Sequence, residues 1–184
     1  MKKAPYGALL FLLVSAASSP VLAVVDINLF VGADYAGDFD ADQFEVDAHT
    51  GYHLGAELVF DPIDRIDLGV GLEYGFPRDA DSGAIEDFDY THLYGIGRFF
   101  LIGDLLRWYL AARVGYTNMS ADEILNSDLD GKESWSVGTG FELIDKVKLE
   151  LMFNNFNGEV DTAGGGSTDF DYQSYSTRLV FSLK

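Results

Sequence analysis

The sequence has no cysteine, few basic residues and, beyond its first two dozen positions, no long uninterrupted apolar run. Without cysteine there are no disulfides, so stability must come from backbone pairing and packing. The 12 Lys and Arg stand against 30 Asp and Glu, for a formal net charge of −18, which disfavours nucleic acid as a partner. A membrane-spanning helix needs about 20 apolar residues in a row, so this architecture is excluded for the main part of the chain.

The first residues have the features of a secretory signal peptide. Lys2 and Lys3 precede an apolar segment at 6–14 that is too short to span a bilayer, and 21–23 reads Val-Leu-Ala, a suitable cleavage site. A helical anchor is the alternative reading. We assign residues 1–23 to the signal peptide and 24–184 to one domain. Removing two lysines leaves 10 bases and 30 acids, a net charge of −20.

Residues after 24 alternate in polarity with a period of two, which indicates β-strands with two unlike faces. The clearest segment, 66–76, places Ile, Leu, Val, Leu, Tyr and Phe on one face and Asp, Glu and Gly on the other. Similar alternation predicts eight strands, near 27–35, 52–60, 66–76, 90–101, 108–116, 135–143, 147–153 and 175–183. The phase of 90–101 stays open, because either Tyr94 and Ile96 or Leu93 and Phe99 could share the apolar face, and a bulge could reconcile them.

The connectors between these strands alternate between short and long. Short connectors are predicted at 61–65, 102–107 and 144–146, and long ones at 36–47, 77–89, 118–133 and 157–171. The long connectors hold 19 acidic and only 2 basic residues. This alternation of short and long connectors is typical of membrane β-barrels, which have tight turns on one side and long external loops on the other.

Alternation alone does not say which face points outward, since a soluble lipocalin-like barrel places its apolar face inside. Three features favour an apolar exterior. The polar face is rich in glycine and carries charges of both signs, as a narrow lumen requires. The apolar face ends in aromatic residues on both sides, as at two membrane interfaces. The last predicted strand can close against the first, which satisfies every backbone group in hydrocarbon.

With this pattern the sequence resembles the OmpA/OmpX-type eight-stranded barrels over residues 24–184. The resemblance implies an all-β, antiparallel, up-and-down transmembrane barrel in the outer membrane of a Gram-negative bacterium. It also implies contact with lipid and lipopolysaccharide, delivery by periplasmic chaperones and the barrel-insertion machinery, and a monomeric state. The family's terminal strand usually ends on an aromatic residue, whereas here Phe181 is followed by three further residues.

The inward phase predicts a network of ion pairs, because charges in a narrow lumen must be paired. Two pairs follow from hairpin counting, Glu142 with Lys148 and Glu150 with Arg178, and Arg113 should reach Glu73 or Glu57. Arg98 joins them if its strand takes the second phase. The predicted network comprises Glu57, Glu73, Arg113, Glu142, Lys148, Glu150 and Arg178. It would plug the lumen; the alternative is a gated, cation-preferring passage.

Catalytic and metal-binding signals are weak. The three histidines lack the serine two residues on that barrels resembling lipid A deacylases carry, and Asp81-Ser82 is the only hint of a palmitoyltransferase-like site. Asn126, Asp128 and Asp130 match the start of a calcium loop, but position twelve is Val137 rather than Glu. We therefore expect no cofactor beyond weakly bound Ca²⁺ or Mg²⁺ at the acidic loops.

The expected function is that of a non-enzymatic outer-membrane protein, with a role in envelope structure or in surface interaction through its acidic loops. A lipid A-modifying barrel enzyme and a soluble ligand-binding barrel are the alternatives.

Overall fold

The computed structural model describes residues 25–41, 44–82, 85–101, 107–122, 129–144, 146–161 and 167–183. Nine strands account for almost all of them: β1 (Val25–Ala41), β2 (Phe44–Ala48), β3 (Gly51–Ile63), β4 (Ile66–Ser82), β5 (Ile85–Phe100), β6 (Arg107–Asp122), β7 (Leu129–Ile144), β8 (Val147–Asp161) and β9 (Ser167–Leu183). No helix in these ranges is long and apolar enough to cross a bilayer.

The strands form one closed antiparallel barrel. From β3 to β9, neighbours in sequence pair with each other, and β1 closes the barrel against β9 from Ile27↔Leu183 to Ala41↔Phe170. The short strand β2 and the longer β3 both pair with β1, at 37–41 and 25–34 respectively. They are therefore two parts of one barrel strand, interrupted at 49–50. The wall has eight strands, so the predicted eight-stranded barrel is confirmed.

The two ends of the barrel differ. At one end, which we call the short-turn end, β3 turns into β4 through Asp64 and Arg65. At the opposite end the strands continue well past the predicted boundaries, and pairing persists to Ala41↔Phe44 and Ser82↔Ile85. The prediction of long loops at 36–47, 77–89, 118–133 and 157–171 is wrong, because most of these residues lie in paired strands. We call this part the extended end; it comprises 37–41, 44–48, 78–82, 85–89, 118–122, 129–132, 156–161 and 167–172.

The apolar phase faces outward between the two ends. Side chains at strand centres that we predicted to face lipid lie on this face, with Leu72 at 53% and Val114 at 67% exposure. The others are Leu68, Val70, Leu110, Leu149 and Leu151, which are exposed or half-exposed. Aromatic side chains rim the face, among them Tyr35 and Tyr175 toward the extended end and Trp108 toward the short-turn end. The soluble barrel with an apolar interior is therefore excluded.

Strand β5 takes the second of its two possible phases. Leu93 and Phe99 face outward, each 49% exposed, whereas Tyr94, Ile96 and Arg98 are buried inside. Its pairing with β6 runs without interruption from Asp87↔Asp122 to Phe100↔Tyr109, so no bulge is needed.

Register shifts reverse the inward phase in three strands. They fall between Tyr35 and Asp38 in β1, between Gly75 and Arg78 in β4, and between Gly131 and Ser134 in β7. In β1 the irregularity includes Ala36, whose φ of 50° is in the left-handed region. Beyond the bulges in β1 and β4, Phe39 and Arg78 point inward while Asp38 and Asp79 point outward, the reverse of the membrane-facing part.

Candidate functional site in the barrel lumen

The middle of the lumen is filled by charged side chains. We call this set the ionic layer; it comprises Glu57, Glu73, Arg98, Arg113, Glu150 and Arg178, all at most 1% exposed. Three arginines face three glutamates, so the layer is neutral when all six are ionised. Burial of six charges is tolerated only when each has close partners of opposite sign, and the geometry provides them.

Arg178 on β9 is the hub of the ionic layer. Its Nη2 lies 2.9 Å from Glu57 Oε1 on β3, and its Nη1 lies 3.2 Å from Glu73 Oε2 on β4. Its Nε donates to Glu150 Oε2 at 3.0 Å, across the register pair Glu150↔Arg178. The guanidinium also stacks over the Phe30 ring, 4.1 Å from the centroid. One arginine thus joins strands from opposite sides of the lumen.

The other two arginines of the ionic layer make further contacts across the lumen. Arg98 on β5 donates to Glu57 and Glu150, at 2.7 Å in both cases. Arg113 on β6 donates from Nη1 to Glu73 at 2.8 Å and from Nη2 to Asn154 at 2.8 Å. The structure therefore brings together five of the seven predicted residues, and Arg98 joins them, as expected for the second phase of β5.

Tyrosine hydroxyl groups satisfy further carboxylate oxygens of the ionic layer. Tyr94 donates to Glu57 at 3.0 Å and Tyr109 donates to Glu150 at 2.9 Å. These tyrosines escaped the sequence analysis because the phase of β5 was undecided and Tyr109 was not assigned to a face. The signal was nonetheless present: once Arg98 is placed inside, the two-residue period also places Tyr94 and Tyr90 inside.

A second ionic group lies nearer the extended end. Asp34 Oδ2 forms an ion pair with Arg78 Nη2 at 2.9 Å, and Asp34 Oδ1 lies 3.2 Å from His53 Nδ1. The Tyr90 hydroxyl lies 2.9 Å from both Asp34 Oδ2 and Glu73 Oε1, which links this group to the ionic layer. The sequence analysis placed Arg78 in the long connector predicted at 77–89, whereas the structure places it on β4 beyond the register shift between Gly75 and Arg78.

Aromatic side chains close the lumen in the extended end. We call this set the aromatic cluster; it comprises Phe39, Ala48, Phe88, Tyr90, Met119, Phe156, Phe170 and Tyr172, all buried. Their rings meet edge to face or tilted, as in Phe39–Phe88 at 4.8 Å and Tyr90–Phe156 at 5.2 Å between centroids. Arg78 lies among them, 5.1 Å from the Tyr90 centroid, and its Nη1 donates to the Tyr172 hydroxyl at 3.1 Å.

The short-turn end opens into a polar cavity of about 240 Å³. Glu142 and Lys148 both line it and are register partners, as expected from the tight turn. The predicted ion pair between them is wrong, however. Lys148 Nζ lies 3.5 Å from Asp67 and Glu142 accepts from Arg107 at 3.2 Å. At this open end of the lumen, long side chains can reach charged neighbours other than their register partner.

The outer surface of the extended end carries acidic residues directly opposite each other. Four register pairs of this kind are Asp38↔Asp47, Asp40↔Asp171, Asp79↔Asp87 and Glu159↔Asp169. Lys132 bridges Glu159, at 2.9 Å, and Asp169. Hydrogen bonds to these two carboxylates raise the pKa of Lys132, and hydrogen bonds from Ser167 and Lys132 lower the pKa of Glu159.

Within the described ranges, no three His, Asp or Glu side chains lie close enough to hold a metal ion. The candidate calcium ligands Asn126 and Asp128 lie outside the described residues, as does the side chain of Asp130.

One serine–histidine contact exists in the lumen. Ser134 Oγ lies 2.9 Å from His92 Nε2. Both residues are buried, at 4% and 0% exposure, and among the described residues His92 Nδ1 has no hydrogen-bond partner. A nucleophilic serine needs access to substrate and a histidine oriented by a third group. In this structure the pair is a hydrogen-bonded contact buried within the lumen.

Comparison with known proteins agrees with this architecture. The profile of the outer membrane protein beta-barrel domain family matches residues 8–181. The Neisserial surface protein A structure has a TM-score of 0.56 and 11% identity, covering 86% of this chain and 97% of its own. The outer membrane protein OprG from Pseudomonas aeruginosa has a TM-score of 0.50 and 14% identity, covering 88% and 97%. The outer membrane enzyme PagL has a TM-score of 0.52 and 15% identity, covering 85% and 98%. None of the curated protein sequences matches the chain.

Proposed function

The chain belongs to the outer membrane protein beta-barrel domain family, and from this starting point we propose that it is a non-enzymatic, non-conducting barrel of the bacterial outer membrane. Its short-turn end faces the periplasm, and its extended end projects from the cell surface to meet a cationic partner. The first residue of β1, Val25, and the last residue of β9, Leu183, both lie at the short-turn end, as in barrels with long external hairpins.

The observation that carries the non-conducting role is the set of contacts across the lumen. Arg178 and Arg98 each bridge β3 and β8, which lie on different sides of the barrel, and the aromatic cluster lies above them. Eight-stranded barrels have room for side chains and little else. A hydrated ion would have to separate several buried ion pairs to pass.

Conductance across a planar lipid bilayer tests this role. The parent barrel is expected to show no stable single-channel steps in concentrated potassium chloride. Arg178→Ala/Glu150→Ala, which removes one charge of each sign from the ionic layer, is expected to show them. Lys132→Ala/Glu159→Ala, which also removes one charge of each sign but outside the lumen, is the matched control and should show no steps. Regular single-channel steps from the parent barrel would overturn the proposal.

The proposed interaction surface is the acidic exterior of the extended end. The aromatic cluster packs against the inner face of these strands, and the carboxylates lie on the outer face of a paired sheet. Such a surface attracts a basic partner through its electrostatic field, which accelerates association and weakens with salt. The lysine-containing ion pair at Glu159 and Asp169 shows that an ammonium group fits between two opposed acids.

A lysine-rich peptide is a suitable probe for this surface. Fluorescence anisotropy should show binding that weakens as sodium chloride rises. Asp40→Asn/Asp171→Asn should reduce it, whereas Asp61→Asn/Asp64→Asn, which removes the same number of charges at the short-turn end, should not. Equal loss in both variants would show that only net charge matters, and the interaction surface would have to be abandoned.

A further inference from the structure

Two glycines differ from the other glycines of the described strands. A Cβ added to any of twelve of them would meet another atom at 2.6 Å or nearer. Those twelve are needed because neighbouring side chains or backbone already fill the space. Gly95 and Gly97 on β5 are different, because the nearest atoms to an added Cβ lie 3.9 Å and 3.6 Å away. Both face outward, since their neighbours Tyr94, Ile96 and Arg98 are buried inside.

Glycine inside a strand weakens it and usually marks a bulge, a bend or a close approach by another molecule. No register shift occurs at Gly95 or Gly97, because β5 pairs continuously with β4 from Ile66↔Phe99 to Gly75↔Tyr90. β5 also pairs with β6 without a register shift. Neither residue has the positive φ that favours glycine. A close approach from outside the barrel is the remaining explanation.

The outer surface has a groove at Gly97, and Gly95 is not among the residues that line it. It has a volume of about 440 Å³, within the range of about 300–1,000 Å³ for ligand sites. Gly97 and Ala112 are register partners and form its floor. The groove is lined by Ile66, Gly97, Phe99, Leu110, Ala112 and Val137, among others.

We propose that this groove holds one acyl chain of a phospholipid from the leaflet on the short-turn side. The groove is continuous with the lipid-facing belt, so hydrocarbon is the medium that surrounds it. An empty gap would forfeit the dispersion contacts of its lining. A second barrel is a poorer fit, because Phe99 and Leu110 protrude beside the floor, each 49% exposed, and would meet a convex wall first.

The choice of leaflet rests on the orientation proposed above. Ile66 and Phe99 are register partners at the short-turn end of β4 and β5, so the groove begins near that interface. With this end in the periplasm, the adjacent leaflet is the phospholipid one. The groove itself does not depend on the orientation, so the two ideas can fail separately.

Native mass spectrometry of the full chain tests the site. The barrel is reconstituted in phosphatidylethanolamine vesicles, with and without lipopolysaccharide, and extracted in mild detergent. The parent is expected to retain one phosphatidylethanolamine in both cases. Ala112→Leu fills the groove and should lose it. Ala56→Leu, an equal increase in bulk on the outward face of β3, should keep it.

Heat-modifiable gel mobility confirms that each variant is folded, and Gly97→Ala replaces Ala112→Leu if the larger side chain prevents folding. Loss of the retained lipid only in the groove variant supports the site. Equal retention in the parent and both variants, or none in the parent, overturns it. Retention of lipopolysaccharide instead overturns the phospholipid assignment. A dimer that Ala112→Leu abolishes overturns it in favour of a second copy of the chain.

Discussion

Arg178 shows how much a single residue can contribute to a barrel of this kind. It contacts three buried glutamates and the face of Phe30, so its charge is distributed over β3, β4 and β8. Removing it leaves three glutamates against two arginines in a medium where an unpaired charge is costly. Removing one glutamate at the same time restores the balance.

Arg178→Met should therefore lower the free energy of unfolding by about 3–5 kcal/mol, as for other buried pairs that lose one partner. The double variant Arg178→Met/Glu150→Gln should recover part of that loss. Urea unfolding from lipid vesicles measures both, with Arg65→Met in the exposed β3–β4 turn as control. A harmless single substitution, or a double variant with the summed cost of its parts, would show that the two residues are not coupled.

Asp38 provides a pH-dependent test at the extended end. Burial, together with the hydrogen bond and charge of Asp47, raises the pKa of Asp38 above its ordinary value of 3.8. The folded state therefore binds this proton more tightly than the unfolded state does, so stability falls as the pH rises from the ordinary value to the raised one. At neutral pH the repulsion is fully present.

Asp47→Asn should consequently stabilise the protein at pH 7 by about 0.2–1 kcal/mol, the range for directly opposed side chains. The gain should disappear below about pH 3, where aspartates are protonated in both states. Unfolding curves at several pH values give the comparison, with Asp64→Asn as control. A gain that is the same at all pH values would point to a cause other than charge.

At the scale of elements, the three bulges determine which side chains of β1, β4 and β7 point into the lumen and which point outward. Below them the apolar side chains face lipid; above them the aromatic side chains face inward. Period-two alternation found all eight strands of the wall, but in β1, β4 and β7 this reversal hides the extended end from it. The loop predicted at 157–171 has another cause, because β8 and β9 continue there without a register shift. A phase extrapolated across a bulge places Phe39 outside, so the segment resembles an acidic loop with scattered aromatics. The tight turn correctly predicted that Glu142 and Lys148 are register partners. Their actual ion-pair partners, Asp67 on β4 and Arg107 on β6, lie outside this hairpin and could not be identified by counting residues across the turn.

The bulge in β1 can be tested at Ala36. A left-handed conformation costs an L-residue roughly 1–2 kcal/mol, while glycine adopts it freely at an entropic cost of about 0.5–1 kcal/mol. Ala36→Gly should therefore raise the free energy of unfolding by about 0.5–1 kcal/mol. Ala56→Gly, at a regular strand position, should lower it by about the same amount. Effects of equal sign in both variants would argue against the bulge.

At the scale of the whole molecule, two outer surfaces of opposite character are stacked along the barrel axis. The lower surface is apolar and matches hydrocarbon; the upper is acidic and matches water. The boundary follows the aromatic rim that includes Tyr35 and Tyr175, which stack with centroids 6.5 Å apart. This division determines how deep the barrel sits in the membrane.

An arginine placed on the two surfaces should behave differently. Leu72→Arg, in the apolar surface, should cost about 2–4 kcal/mol near the midplane. Asp171→Arg, on the outward face of the extended end, should have little effect. Folding yield and urea midpoint in vesicles distinguish them. Normal insertion of Leu72→Arg would contradict the position of the membrane along the barrel.

Divalent cations should act on the acidic surface beyond simple screening. Opposed carboxylates such as Asp40↔Asp171 repel at low salt, and one Ca²⁺ or Mg²⁺ can neutralise both. We expect calcium to raise the melting temperature more than sodium at equal ionic strength. The excess should shrink in Asp40→Asn/Asp171→Asn. The same rise with both salts would leave only screening.

Closure of β1 against β9 also constrains how the chain folds. The pair Ile27↔Leu183 joins residues 156 positions apart (183 − 27). The other ladders of the barrel wall join strands that follow one another along the chain, when β2 and β3 are counted as one strand. Long-range pairing slows folding because the loop entropy is lost before the contact forms. The seam should thus be the last ladder to form, and an unsealed sheet with two exposed edges should be the species that chaperones must protect from aggregation.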